Sequence, residues 1–388
     1  MGTDPIYLDR RLMLLLITAV FATSGCIHYQ TPMLGPMAAE FGADAAEIGW
    51  IPTATFGGFL VGIVFLTPLG DRMDKRRLIL AQQFATMGAL LAAAAAPTLA
   101  TASLAGFLVG VCGSSSQSII PLVAELAPPN QRGRAVGTVL TALFLGILFA
   151  RIAGGMVAAH LGWRWMFVLG AALMAMVSPV LVARLPHSPP KTSLSYSQLL
   201  ASLFHLIAEH AEMRRVLAIQ VLVGVCYGGF WATIATMLLV THGLGPQIAG
   251  LIAIPGAAGV LVTRPAGRLL DQRGAGPIVR AGISLILAAY AVFALGAWWP
   301  LPLAFGAAIL DCGLRATLVA NQTVINSLAA DARSRSNTVF GLAVWSGNAI
   351  GAFVASMMLA HSGWLAVCAI SAIAATGALG VQLAAMRR

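Results

Sequence analysis

Twelve long apolar stretches constrain the fold of this chain more than any other feature. A helix needs about 20 mostly apolar residues to cross the hydrocarbon core of a bilayer. The stretches that meet this requirement are 12–35, 46–70, 77–97, 100–125, 135–159, 163–184, 215–241, 246–270, 277–298, 301–328, 337–360 and 364–386. The first is too long for the apolar core of a signal peptide and lacks a small-residue cleavage site, so we expect it to be retained. The sequence predicts an all-α membrane protein with twelve transmembrane helices.

The charged residues predict how these spans are oriented. Only 9% of the chain is charged, whereas soluble domains carry about 25% charged residues. Most Lys and Arg residues fall near the two chain ends and in alternate loops, while the other loops hold mainly Glu and Asp. By the positive-inside rule, both termini are predicted to be cytoplasmic in a multi-pass protein of the bacterial inner membrane. The net charge of +10 therefore reflects topology, and no nucleic-acid partner is expected.

The chain repeats itself at an offset of about 200 residues. The matching pairs are Cys26 with Cys226, Cys112-Gly113 with Cys312-Gly313, and Leu69-x-Asp71 with Leu269-x-Asp271. Internal repeats of this kind are typical of transporters with a site between the repeats, near the middle of the membrane. We expect two pseudo-symmetric six-helix bundles, 1–185 and 213–388, joined by a cytoplasmic linker with a short helix at 186–212.

Three stretches carry a resemblance to a known family. The stretch TPLGDRMDKRR (67–77) resembles the signature loop of the major facilitator superfamily, and GRLLDQRG (267–274) echoes it in the second half. The stretch PLVAELAPPNQRGRAVG (121–137) resembles the corresponding loop of the 12-span drug:proton antiporter branch. The resemblance covers essentially the whole chain. It implies the major facilitator fold, transport by alternating access, and a cavity lined by the first, fourth, seventh and tenth spans.

The signature loop also suggests a gate. The resemblance assigns gate residues at Asp71, Arg72, Arg76 and Asp271, in a charged cluster that would lock the two halves together on the cytoplasmic side. An acid at a helix end can accept hydrogen bonds from a neighbouring helix N-terminus. The alternative is that the basic run only enforces the topology.

The fifth span departs from the antiporter pattern. Its glycines keep the spacing of the antiporter signature at Gly137, Gly146, Gly154 and Gly155, which favours close helix packing. The Gly-Pro pair of that signature is replaced here by Ala150-Arg151. A permanent positive charge therefore stands inside a membrane span, where it is costly.

With the charges of the loops and span ends set aside, three fixed charges remain inside the spans, namely Arg151, Asp311 and Arg315. Asp311 and Arg315 are four residues apart, share a helix face and are predicted to pair, either for function or purely for structure. Arg151 has no acid on its own helix, so we expect it to pair with Asp311 across the cavity or with a negative group of the substrate. Two arginines against one aspartate predict a net positive cavity, which attracts anionic or zwitterionic solutes.

Proton coupling requires a group that changes its protonation state. Asp311 is one candidate, and His28 is the other because imidazole has an ordinary pKa of about 6.5; a lone buried His can equally be a simple hydrogen-bonding residue. Further polar or aromatic residues on the predicted cavity spans are expected to contact substrate: Tyr29, Gln117, Tyr227, Trp231 and Asn321. For Gln117 and Asn321 helix packing is the alternative.

The soft side chains raise one more alternative. Cys26, His28, Met33 and Met37 follow one another in the first span and its outer end, and Cys112 and Cys312 recur as a pair in the two halves. Thiolate and thioether ligands select Cu(I). A Cu(I) or soft-metal transporter is therefore an open alternative.

These patterns lead to a specific functional prediction. No nucleotide-binding GxxxxGK[ST] motif or nucleophile–base constellation is visible, so we expect neither an enzyme nor a cofactor. The predicted function is a monomeric secondary transporter of a small organic solute, and the resemblance to the antiporter branch implies export by alternating access in antiport with protons. A proton-coupled importer of small organic anions is the main alternative.

Overall fold

The computed structural model describes residues 8–128, 131–188, 196–328 and 333–385, and these residues are almost entirely helical. The helices are Arg10–Cys26, the 3-10 turn Thr31–Met33, Leu34–Phe41, Ala45–Ile48, Trp50–Arg72, Lys75–Ala94, Leu99–Gly113, Ser115–Leu126, Arg132–His160, Trp163–Arg184, Tyr196–Glu209, Ala211–His242, Pro246–Leu251, Ala253–Gly256, Gly259–Arg273, Ala275–Leu295, Leu301–Leu328 and Arg333–Ala384.

The described helices form the predicted membrane spans. Eleven helical segments in the described ranges are long and apolar enough to cross a bilayer. The last of them belongs to a helix of 52 residues, which at 1.5 Å per residue is about 78 Å long, more than twice the ~30 Å hydrocarbon core. Its Gly363 has a non-helical backbone with φ 76°, so the helix comprises two spans that meet there. The prediction of an all-α fold with twelve spans is confirmed.

The spans pair in the same way in both halves. In the first half the first span packs on the fifth, the second on the fourth, and the third on the sixth. In the second half the eighth packs on the tenth, while Gly224 and Gly228 bring the seventh span against Asn348 of the eleventh. The ninth meets the twelfth where Trp364 Nε1 donates to the Phe293 carbonyl at 2.6 Å. The repeat in sequence therefore corresponds to a repeat in helix packing.

The two faces of the bundle differ. We call the side where the first span begins, at Arg10, the basic face, and the other side the opposite face. Near the opposite face the halves touch through small residues: Gly35 lies against Leu239, Gly49 against Ser356, and Gly155 against Gly250. Because glycine has no side chain, these helix backbones approach closely. The contacts close the space between the halves on that side.

The helix Tyr196–Glu209 lies between the halves at the basic face. Its leucines Leu199, Leu203 and Leu206 are buried, and it packs on the second, seventh and eleventh spans. Tyr196 Oη donates to the Phe65 carbonyl at 2.8 Å. This helix touches both halves, while the division into bundles 1–185 and 213–388 with a linker at 186–212 stays a prediction.

Candidate functional site

A cavity of about 230 Å³ lies between the two halves. Residues of the first, second, fourth, fifth, seventh, tenth and eleventh spans line it, and most of them are apolar. Its polar and charged lining side chains are Ser24, His28, Ser116, Gln117, Tyr227, Arg315 and Asn348. The cavity is therefore an amphipathic site to which both halves contribute.

Aromatic rings form much of the cavity wall. Phe59 of the second span and Trp345 of the eleventh meet across the halves, with ring centroids 4.3 Å apart. The His28 ring lies 6.1 Å from Trp345. Aromatic faces on both halves suit a ligand with an apolar or aromatic body.

Arg151 lies at the end of the cavity nearest the opposite face and is only 4% exposed. Its Nη1 and Nη2 both donate to the Tyr227 hydroxyl oxygen, each at 3.2 Å. Its guanidinium carbon stands 3.5 Å from the centroid of the Trp231 ring. The Nε has no hydrogen-bond partner. A charge from the first half is thus held by two aromatic residues of the second half.

The predicted ion pair between Arg151 and Asp311 is not formed. Within the described ranges, Arg151 has no carboxylate within 4.0 Å. Tyr227 and Trp231 are one turn apart on the seventh span, so both rings face the same side and occupy the space around the guanidinium. The Arg151 carbonyl in turn lies against Gly250 of the eighth span.

Asp311 and Arg315 form the predicted pair on the tenth span. Arg315 Nε lies 3.5 Å from Asp311 Oδ2, and their side chains are 12% and 7% exposed. The Arg315 guanidinium also stacks on the Phe144 ring of the fifth span, 3.9 Å from its centroid. Arg315 lines the cavity, whereas Asp311 sits behind it. This places a buried carboxylate one side chain away from the substrate space.

Gly259 of the eighth span makes room for Asp311. The span consists of Pro246–Leu251, Ala253–Gly256 and Gly259–Arg273, and a side chain on Gly259 would collide with the Asp311 carboxylate and backbone. Sequence reasoning missed this residue, although the Pro and Gly residues of the eighth span marked an irregular helix.

Of the remaining predicted contact residues, two line the cavity and two pack elsewhere. His28 and Gln117 line the cavity, and His28 Nδ1 lies 3.2 Å from the Ser24 carbonyl, so Nδ1 carries the proton of that hydrogen bond. Tyr29 packs instead on Phe167 and Gly170 of the sixth span. Asn321 also packs elsewhere: its Nδ2 donates to Gln220 Oε1 at 3.3 Å, in a buried contact between the tenth and seventh spans.

The predicted gate does not bridge the halves in the described residues. Arg76 donates to the Val182 carbonyl at 2.5 Å and to His187 Nε2 at 3.0 Å, and both partners belong to the end of the sixth span. Arg72 and Asp271 are exposed, and the side chain of Asp71 lies outside the described part of the structure. The contacts of this loop fasten the first half to itself, because the sixth span ends beside it.

Asp74 is the acid that organises this loop. His187 Nδ1 donates to its carboxylate at 2.7 Å, and the Ser188 and Arg76 amides donate to it at 3.0 Å. Burial alone would raise the pKa of Asp74, but these hydrogen bonds outweigh burial and hold its pKa below the usual range.

The soft-metal alternative gains no support from the described residues. No group of three His, Cys, Asp or Glu side chains in them is arranged to hold a metal ion. The Cys26 thiol donates to the Thr23 carbonyl, and Met33 and Met37 are packed in the apolar core.

The chain is similar to known transporters over almost its whole length. The sequence model described as Major Facilitator Superfamily matches residues 12–344. The uncharacterized transporter YgaY of Escherichia coli O157:H7 is 32% identical, covering 93% of this chain and 92% of that protein. The multidrug resistance protein B homolog of Mycobacterium tuberculosis is 24% identical, covering 83% and 71%. The solved structure of a bacterial homolog of the human lysosomal transporter Spinster, inward-facing and occupied, aligns with a TM-score of 0.77 at 16% identity, covering 100% and 98%.

Proposed function

The chain belongs to the Major Facilitator Superfamily, and from that premise we propose that it moves a small organic solute across the bilayer by alternating access coupled to protons. The substrate site is the cavity between the halves. The proton site is Asp311, with Arg315 as the group that senses its charge.

The Asp311–Arg315 pair carries this proposal. Arg315 lines the cavity and holds a buried carboxylate at 3.5 Å. A proton on Asp311 removes the negative charge and so releases Arg315 toward the cavity, whereas loss of the proton draws it back. Ionisable residues buried in a membrane span are expensive and typically serve ion or proton pathways. The pair therefore links protonation to the shape and charge of the substrate site.

The glycine contacts at the opposite face support alternating access. They hold that face closed, so that substrate reaches the cavity from the basic face, which the positive-inside rule makes the cytoplasmic one. A β-carbon on Gly35 would lie 3.4 Å from the Leu239 Cβ, close to the ~3.5–4.5 Å of a disulfide. The double variant Gly35→Cys/Leu239→Cys is expected to form a disulfide under oxidation and to stop transport, and reduction is expected to restore it. Transport that survives full cross-linking would contradict the rocking of the halves.

Two directions of transport are candidates. Export in antiport with protons is supported by the antiporter-like loop 121–137 and by the relative named as a multidrug resistance protein homolog. Uptake of an organic anion together with a proton is favoured by one observation, namely that Arg151 is buried without a carboxylate.

The coupling can be tested in proteoliposomes. Solutes are first selected by a thermal-shift screen of anionic, cationic and neutral compounds, and proton movement is then followed under an imposed pH gradient. Proton movement opposite to the solute would establish antiport, and movement in the same direction would establish symport. Asp311→Asn is expected to reduce solute-dependent proton movement to background, while the matched control Asp44→Asn, at the opposite face, keeps it. Coupling that survives in Asp311→Asn would exclude Asp311 as the proton site.

A further inference from the structure

Arg151 is surrounded by polar groups whose hydrogen-bonding capacity is unused. Its Nη1 and Nη2 share a single neutral oxygen, that of Tyr227, at 3.2 Å each. Its Nε and the neighbouring Trp231 Nε1 are buried and have no partner. A guanidinium that is buried and lacks both a carboxylate and a full set of acceptors is costly unless another group completes it.

We infer that Arg151 binds the negatively charged group of the transported solute, and that the Tyr227 hydroxyl occupies the place of that group in the empty protein. This inference rests on the proposed transport through the cavity and names the substrate class of the same site.

The geometry around Tyr227 supports the exchange. A carboxylate that takes both guanidinium hydrogens forms bonds of about 2.7–2.9 Å and is bound more strongly than a neutral oxygen. The Tyr227 contacts, at 3.2 Å, are long in comparison. Tyr227 also lines the cavity, so it is the side chain that separates Arg151 from the substrate space. A rotation of this one ring gives the solute access to the charge.

The rest of the cavity defines the remainder of the solute. Its walls are mainly aliphatic and aromatic, with rings such as Phe59, Phe144 and Trp345. The fixed charges at the site are Arg151, Arg315 and Asp311, which sum to one positive charge when Asp311 is ionised. One negative charge on the solute balances that sum. The substrate class is therefore an amphipathic organic monoanion with an apolar or aromatic body.

The same charges determine whether binding of the solute and binding of the proton favour or oppose each other. The ionisable groups around Asp311 are Arg315 and Cys312 on its own helix and Arg151 on the fifth span, and His28 stands across the cavity. A bound anion opposes the negative charge of Asp311, and a proton on Asp311 leaves two arginines free to hold the anion. Binding of the anion and of the proton therefore favour each other, which selects the symport candidate.

Binding measurements on the purified full-length protein test the inference. The probes are three series with matched bodies: 4-phenylbutyrate, 4-phenylbutyramide and 4-phenylbutylamine, together with the naphthyl and cyclohexyl equivalents of each. Carboxylates are expected to bind, and Arg151→Gln is expected to weaken them about 10-fold or more because a charged hydrogen-bonded contact is lost. Arg151→Lys keeps the positive charge but loses the planar pair of donors that binds a carboxylate through two hydrogen bonds. Its carboxylate affinity is therefore expected to lie between those of the native protein and Arg151→Gln.

Tyr227→Phe gives the discriminating result. If the hydroxyl only holds the place of the substrate, its removal strengthens carboxylate binding, by about 3-fold or more. If the hydroxyl itself contacts the substrate or only supports the fold, binding weakens and the inference is wrong. The matched control is Arg164→Gln, since Arg164 also lies over a tryptophan ring but pairs with Glu40 at the opposite face. Carboxylate binding by the Arg164→Gln variant is expected to stay unchanged.

The remaining outcomes also decide the matter. Binding of the amides or amines alone, carboxylate binding that is indifferent to Arg151→Gln, or no binding in any carboxylate series overturns the inference. Proton-coupled transport of a neutral or cationic solute would then leave the proposed function standing. Conversely, carboxylate binding that depends on Arg151 but is never accompanied by transport would overturn the proposed function and leave the anion site.

Discussion

Arg151 and Arg315 occupy similar positions but differ in one partner. Each is buried near the cavity, and each stacks on an aromatic ring of the other half, Arg151 on Trp231 and Arg315 on Phe144. Arg315 also has a carboxylate on its own helix, whereas Arg151 has only a phenol oxygen. Arg315 is thus balanced by a carboxylate of the protein, whereas on our proposal the negative group of the solute balances Arg151.

This comparison predicts opposite signs for two otherwise similar substitutions. Removing one member of a buried ion pair leaves the other charge uncompensated and is strongly destabilising. Removing a buried charge that lacks an ionic partner relieves a desolvation penalty of several kcal/mol. The free energy of unfolding therefore distinguishes the two arginines before any substrate is known.

The largest expected effect belongs to Arg315→Met. It leaves Asp311 buried without its partner and is expected to lower the free energy of unfolding by about 3–5 kcal/mol, less whatever protonation of Asp311 recovers. Thermal unfolding in detergent measures this change. The double variant Asp311→Asn/Arg315→Met serves as the control and is expected to recover most of the loss. If Arg315→Met is as stable as the native protein, the Asp311–Arg315 pair contributes nothing to the free energy of unfolding.

Arg151→Met is expected to act in the other direction. The relieved desolvation penalty exceeds the ~2 kcal/mol of a desolvated cation–π contact, so the free energy of unfolding is expected to rise by about 1–2 kcal/mol. The same protein should lose carboxylate binding, as expected where a functional site is held at a cost in stability. A fall in the unfolding midpoint would show that Arg151 has a compensating partner and would remove the contrast.

The aromatic contacts should differ by a smaller amount. Double-mutant cycles of Arg151 with Trp231→Leu and of Arg315 with Phe144→Leu are expected to give coupling energies of about 0.5–2 kcal/mol. The coupling to Trp231 should be the larger, because tryptophan is the better partner and Arg151 has no carboxylate to share its charge. Equal coupling energies would indicate that the Asp311 carboxylate does not weaken the interaction of Arg315 with the Phe144 ring.

The sequence predicted the fold well for a physical reason. Hydrophobic length and the alternation of Arg and Lys between loops are properties of single segments, so they predict spans without knowledge of packing. The pairing of Asp311 with Arg315 was predictable on the same grounds, since four residues on one helix fix their distance.

What the sequence could not supply was contacts between helices. The partner of Arg151 depends on how the fifth and seventh helices face each other, and neither segment alone determines this; Gly154 and Gly155 pack the fifth helix on the first and eighth spans instead. Tyr227 and Trp231 were identified as contact residues, but not as the residues that hold the guanidinium. The sequence likewise did not show that His187 and Ser188 return to Asp74 at the signature loop, and the gate role of that loop stays a prediction.

A third arginine provides the smallest expected effect and limits the comparison. Arg164 stands 4.2 Å from the Trp163 ring centroid and pairs with Glu40, so it has both an aromatic ring and a carboxylate. Its side chain is 36% exposed, and water and salt therefore screen its interactions. Arg164→Gln is expected to change the free energy of unfolding by less than about 1 kcal/mol, with a smaller change at high salt. If Arg164→Gln instead lowers the free energy of unfolding as much as Arg315→Met does, burial does not determine the size of these effects. The contrast between Arg151 and Arg315 would then have to be explained by their aromatic partners alone.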